Sequence, residues 1–145
     1  ITQLLNYVAT NPNATIRYKR SKMILHIHSD ASYLSEKKAR SRAAGHFYLA
    51  SKSTKSAHNG PIHTLCTIMR HMMTSAAETE IAAVFHSAQD DITLRNTFED
   101  MWHPQPPTPI QTDSSTAAGF INDIIKQKRK KAIDMNFYWV KERIL

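Results

Sequence analysis

Four of the six residues from Pro104 to Pro109 (PQPPTP) are proline, and no other segment restricts the backbone as strongly. Proline fixes φ at about −65°, removes an amide donor and disfavours helix in the residue before it. The segment must therefore be an extended connector. The helical pattern upstream has to stop before it: Ile81, Val84, Phe85, Ala88, Ile92 and Phe98 mark one face of a helix from Ala76 to Trp102. Thr74 or Ser75 can cap that helix, and Ser75 with Glu78 has capping-box spacing. Downstream, Ile110–Asp113 reads as a short strand. Ser114 or Ser115 can then cap a helix through Phe120, Ile121, Ile124 and Ile125, and Ile133 to Ile144 offers a further amphipathic helix.

Before the long helix the period changes. Ile1, Leu4, Leu5 and Val8 recur at helical spacing up to Asn11-Pro12-Asn13. Ile16 and Tyr18 alternate with Arg17 and Lys19, a short strand signal. Met23 to Ser29 alternates more clearly, with Met23, Leu25 and Ile27 on one face and His26, His28 and Asp30 on the other. A polar loop from Ala31 to Ala43 leads to a strand at Gly45–Ala50, and a loop ending in Asn59-Gly60-Pro61 leads to a third at Ile62–Met73. Strands joined this way predict antiparallel neighbours. The order is strand, strand, strand, helix, strand, helix, helix, an α/β pattern in one domain of 145 residues.

At 41% hydrophobic and 21% charged, the chain can bury a core and is not of disordered composition. No apolar run approaches the roughly 18 residues of a membrane span. The chain starts at Ile1 with no signal-peptide pattern, so it reads as the middle of a longer polypeptide that stays inside the cell. The single cysteine, Cys66, excludes an intrachain disulfide framework; in its apolar stretch it reads as a small core residue rather than a nucleophile. The net charge of +7 is gathered in clusters, Arg17 to Lys22, Lys37 to Arg42 and Lys126 to Lys131, a distribution that suits phosphate contacts. Three glycines in all leave no Gly-rich phosphate loop, which argues against a nucleotide cofactor.

Acidic residues fall where elements begin or end. Asp30 closes the first clear strand, Glu78 and Glu80 lie in the first turns of the long helix, and Asp113 closes the strand after the connector. Carboxylates converging from separate elements bind hard divalent cations, although an isolated aspartate is more often a cap or a solvated group. His26 and His28 have a spacing that could build a zinc site. Without a cysteine or a His/Glu partner motif nearby, they read instead as ordinary strand histidines, and His63 and His71 have no partner signature.

Five segments in order, Ser29-Asp30-Ala31-Ser32, Gly45-His46-Phe47, Ser75-Ala76-Ala77-Glu78-Thr79-Glu80, Gln111-Thr112-Asp113-Ser114-Ser115-Thr116-Ala117 and Lys131-Ala132-Ile133-Asp134 with the following Phe137-Tyr138-Trp139, resemble the successive motifs of copia-type retrotransposon RNase H domains. The likeness spans residues 23–145. Residues 1–22 resemble the tail of the segment that connects such a domain to a reverse transcriptase. The resemblance implies an RNase H-like mixed sheet, three antiparallel strands and then a parallel one, flanked by helices and lacking its last strand. It implies Mg2+-dependent hydrolysis, with Mn2+ as a substitute, of the RNA strand of RNA–DNA hybrids beside a reverse transcriptase domain of the same polyprotein. Asp30 would bridge two ions, and Glu80 and Asp113 would complete their coordination.

Glu78 and Glu80 both flank the apolar stripe, so periodicity does not choose between them. RNase H domains place the helix carboxylate just before a large apolar residue with alanine three positions on. Glu80-Ile81-Ala82-Ala83 fits that pattern and Glu78 does not, which leaves Glu78 as a cap or supporting acid. The family's fourth acid follows a fifth strand that does not occur before Leu145, and Asp134 is the one alternative within the chain. Lys126, Lys128, Arg129, Lys130 and Lys131, with Lys52 and Lys55, are expected to contact phosphates, giving affinity without base specificity. The competing expectation is an inactive retroelement remnant that keeps the fold and binds nucleic acid non-specifically.

Overall fold

A computed structural model of the chain describes residues 1–52, 59–122, 124 and 131–143, without the side chains of residues 131–134. The described elements are α1 (Thr2–Thr10), β1 (Ile24–Glu36), β2 (Arg40–Ala50), β3 (Pro61–Ile68), α2 (Ala76–Asp100), β4 (Ile110–Thr112), α3 (Ser115–Ile121) and α4 (Lys131–Lys141). The strands form one mixed sheet in the order β3-β2-β1-β4. β1–β2 and β2–β3 are antiparallel, and β4 joins β1 in parallel. Helix α2 lies on the sheet, and α3 and α4 pack against α2. This is the α/β arrangement expected from the sequence.

Alternation along β1 sends Leu25 and Ile27 into a core with Phe47, closed by Leu65, Leu94, Phe98 and Ile110. The helix side of that core is broader than a single stripe. Ala82 and Ala83 meet Ala43 and Met69 near the sheet, whereas Ile81 packs with Ala117 and Phe137, and Val84 with Ile121 and Val140. The first half of α2 is thus covered on two sides, by small residues toward the sheet and large ones toward α3 and α4. Close approach is the reason for the small ones. A Cβ on Gly45 would lie 2.9 Å from Phe47 Cε2 and 3.1 Å from Ser87 Oγ. The buried Ser87 hydroxyl donates to Ser29 Oγ at 3.3 Å.

The proline connector is held by its carbonyls and its few side chains. Arg95 on α2 donates to the carbonyls of Pro106 and, at 2.8 Å, Gln105, and to Thr108 Oγ1 at 3.1 Å. Gln105 Oε1 accepts from the Leu25 amide at 2.9 Å, and the Ile27 amide donates to the Pro109 carbonyl at 3.0 Å. A segment with almost no amide donors is thereby led along the edge of β1 into β4.

Several boundaries differ from the sequence reading. The expected loop from Ala31 to Ala43 is instead the far half of a hairpin, with β1 paired to β2 beyond Asp30 through Ser32↔Arg42 and Glu36↔Arg40. Most of its polar residues are those of an exposed two-stranded arm, with Ser41 buried, and a reading of composition cannot distinguish such an arm from loop. β3 ends at Ile68, not Met73, and α3 ends at Ile121, short of Ile124. Ile16 and Tyr18 are in no strand; Tyr18 instead donates its hydroxyl to the Pro61 carbonyl at 3.0 Å. Cys66 is exposed rather than core, because strand alternation on β3 turns Leu65 toward α2 and its neighbour outward. Among the described residues no helix is long and apolar enough to cross a membrane.

Candidate metal centre

Parallel pairing of β4 with β1 places the two aspartates. Ser29 is the ladder partner of Thr112, so the next residue on each strand, Asp30 and Asp113, occupies neighbouring ground across a strand spacing of about 4.8 Å. Helix α2 supplies the third acid. Its start is fixed by Ser75, whose hydroxyl accepts from the Glu78 amide at 3.2 Å, and by burial of Thr79 and Ile81 on either side of Glu80. One carboxylate oxygen from each of Asp30, Glu80 and Asp113 then lies within 4.8 Å of the others.

Electrostatics at this cluster are unfavourable without a counter-charge. Burial first, then the charges of Asp113 and Asp30, push the Glu80 carboxyl up to about 7. Its Oε2 is buried and has no hydrogen-bond partner. Asp30 Oδ1 accepts from the Ala31 amide at 2.8 Å, and Asp30 itself stays exposed and accessible. Oxygens on a common divalent ion at 2.0–2.6 Å lie at most about 4–5 Å apart, so the observed span fits such an ion. The orphaned Glu80 oxygen and the all-carboxylate donor set fit a hard cation of the Mg2+ or Mn2+ type rather than zinc.

Glu78 is engaged elsewhere. It is 6% exposed, and its Oε2 accepts from the Thr74 amide at 2.7 Å and the Thr74 hydroxyl at 2.6 Å. The carboxylate thus ties down the turn that leads into α2. His26 is buried against Tyr48 with ring centroids 5.6 Å apart; burial lowers its pKa, opposed by a backbone hydrogen bond at Ser51. Neither His26 nor His28 joins a three-ligand group among the described residues, and His63 sits 3.0 Å from Asp90. Lys52 is exposed just past β2. Lys55, Lys126, Lys128, Arg129 and Lys130 lie outside the described residues, as do the side chains of Lys131 and Asp134.

Three features, one at the start of α2 and two away from the centre, were not expected from sequence. Thr74 anchors Glu78, an arrangement hinted at only by the Thr-Ser pair before the helix. Asp91 on α2 is raised by burial, opposed by a hydrogen bond to Thr108 and the charge of Arg95, and helps join helix to connector. Beyond Asp30, Arg42 forms a 2.7 Å pair with Glu36 on the hairpin.

The raised Glu80 value carries a stability consequence. Between about 4.5 and 7 the folded chain binds more protons than the unfolded one, so stability without a divalent ion falls as pH rises through that window. Glu80→Gln is expected to raise the melting temperature at pH 8 by a few degrees, about 1 kcal/mol once solvent screening of this partly exposed group is allowed for, and to change little at pH 4.5. Adding Mg2+ at pH 8 should stabilise the wild type and not the variant. Thermal melts at the two pH values, with and without Mg2+, check this; a variant less stable than wild type at pH 8 would contradict it. No model of a known protein family matches this chain, and no curated protein matches it as a relative.

Proposed function

We propose that this chain is the ribonuclease H domain of a copia-type retroelement and hydrolyses the RNA strand of RNA–DNA hybrids with Mg2+, or Mn2+ in its place. The observation that carries the reading is the meeting of Asp30, Glu80 and Asp113 from two strands and a helix, at a point where an uncompensated buried oxygen calls for a cation. A bound pair of such ions supplies an activated water and neutralises the leaving oxygen in phosphodiester cleavage. The chain's own part is positional. Asp30 and Asp113 are both open to solvent, which suits ligands that face a substrate, and the family resemblance gives Asp30 the shared position. Glu80, half-buried and held by the packing of Ile81 beside it, presents its carboxylate from the helix side. Asp113 is fixed by the β1–β4 ladder.

Recognition of hybrid geometry and of the ribose 2′-hydroxyl through phosphate and sugar contacts suits a chain of net charge +7. Residues 1–22 fit a connection to a preceding reverse transcriptase domain: α1 buries none of its residues and leaves Leu4, Leu5, Tyr7 and Val8 exposed, an apolar surface for a neighbouring domain. Such a protein works inside the cell. The test is hydrolysis of an end-labelled hybrid in Mg2+, with the label on the RNA strand and then on the DNA strand. Cleavage of RNA alone, lost in chelator, is the expected result. Binding with no Mg2+-dependent cleavage would replace this reading by that of a non-catalytic remnant.

A further inference from the structure

The hairpin that extends past Asp30 has no part in the carboxylate centre, yet it grows directly out of it. Ser32 follows Asp30 by two residues on the same side of β1, and Arg42 stands opposite Ser32 across the ladder. Further out come Glu36 opposite Arg40, and then the turn at Lys37 and Lys38. Glu36 neutralises Arg42 through the 2.7 Å pair, and Arg42 Nη1 also reaches Cys66 Sγ at 3.3 Å, so Arg42 is bound to the sheet. Lys37, Lys38 and Arg40 are exposed, and their side chains take part in no ion pair or hydrogen bond among the described residues. Since the charge of Glu36, the one carboxylate of the tip, is matched by Arg42, the tip keeps the three positive charges of Lys37, Lys38 and Arg40 in excess.

The tip is also held in place. The Leu34 amide donates to Ser41 Oγ at 3.0 Å across the arm, and Leu34, Lys38 and Ala39 adopt left-handed backbone (φ 52°, 62° and 51°) without a glycine among them. Between Ser32 and Glu36 the ladder is bulged, three residues of β1 against one of β2, so β2 sets the reach: from Ala44, opposite Asp30, to Arg40 is four residues, roughly 13 Å at the rise of a strand. Phosphates on one strand of a duplex follow at about 3.4 Å along its axis, so the tip stands about four nucleotides from a phosphate lying at Asp30.

We propose that the β1–β2 hairpin is a nucleic-acid-binding arm, in which Lys37, Lys38 and Arg40 contact the backbone phosphates of an RNA–DNA hybrid about four nucleotides from the bond at the carboxylate centre. The choice of a hybrid rests on the ribonuclease reading; the placement of the arm rests on the ladder that joins it to Asp30.

The experiment measures affinity for a fluorescent 18-base-pair RNA–DNA hybrid in chelator, over a range of salt. Lys37→Gln/Lys38→Gln/Arg40→Gln should weaken binding roughly 10- to 100-fold at 0.1 M salt and flatten the slope of log affinity against log salt by about 2–3. Lys37→Gln alone should flatten it by about 1, and Lys37→Arg/Lys38→Arg should bind as wild type does. Neutralising Arg17, Lys19 and Arg20 together serves as the control cluster. Unchanged affinity and slope in the triple variant, an equal loss in the control, or no hybrid binding by the wild type would overturn the arm. The cleavage assay is decided separately. RNA hydrolysis with arm-independent binding removes the arm and leaves the enzyme, whereas arm-dependent binding without hydrolysis does the reverse.

Discussion

Asp30→Asn is expected to lower Mg2+-dependent hydrolysis of hybrid RNA by roughly 1000-fold or more while moving the melting temperature by no more than about 2 °C. A bound metal ion contributes several kcal/mol of charge stabilisation to a phosphoryl-transfer transition state, and each 1.4 kcal/mol is about tenfold in rate. Asp30 is the acid that the β1–β4 ladder sets beside Asp113 and that adds to the field on Glu80. Asparagine keeps the shape and removes the charge. Because the side chain is exposed, its loss disturbs no packing. The Glu80 carboxyl should fall back toward its ordinary value when one of the two charges that raise it is gone. Single-turnover rates and a carboxyl titration followed by NMR check both parts. A variant with more than about a tenth of wild-type activity would remove Asp30 from the reaction, and with it the role assigned to the cluster.

How much of this was legible beforehand depended on whether a signal is local. Ser75 and Ser114 cap α2 and α3 through the side-chain oxygens that the sequence offers, accepting from Glu78 and Ala117 amides. The proline run announced its own extended course. Alternation named Leu25 and Ile27 as core. What could not be read were features decided by a partner far away in the chain. The polar residues after Asp30 form strand because Arg40–Ala43 are there to pair with them. Cys66 lies in an apolar run, but β3 is an edge strand whose outer face α2 does not cover. Glu78 and Glu80 flank one helical stripe symmetrically in sequence. Their roles diverge only because Thr74 captures one while the strand ends face the other. The convergence of the three acids is of the same kind: each is ordinary alone, and the parallel register of a three-residue strand brings two of them together.

That dependence of the site on distant packing gives Phe47→Ala the largest expected effect on stability. Phe47 is fully buried in β2, and its cluster draws on β1, β3, α2 and β4 together: Leu25 and Ile27, Leu65, Leu94 and Phe98, and Ile110. Its ring also meets His63 at 4.9 Å. Removing the ring is expected to cost about 3–5 kcal/mol through lost burial and the cavity left behind. In a domain whose total stability is about 5–15 kcal/mol, that lowers the melting temperature by roughly 10–15 °C. Phe47→Leu, which refills most of the volume, should cost under about 1.5 kcal/mol. Relief by collapse is poor here, because Gly45 and Ser87 already hold α2 at closest approach to β2 and the helix cannot settle further onto the sheet. Urea unfolding followed by circular dichroism measures the difference. A loss below about 1 kcal/mol for Phe47→Ala would mean that α2 is seated on the sheet by other contacts, and that the distance from Glu80 to the two aspartates is not set by this core.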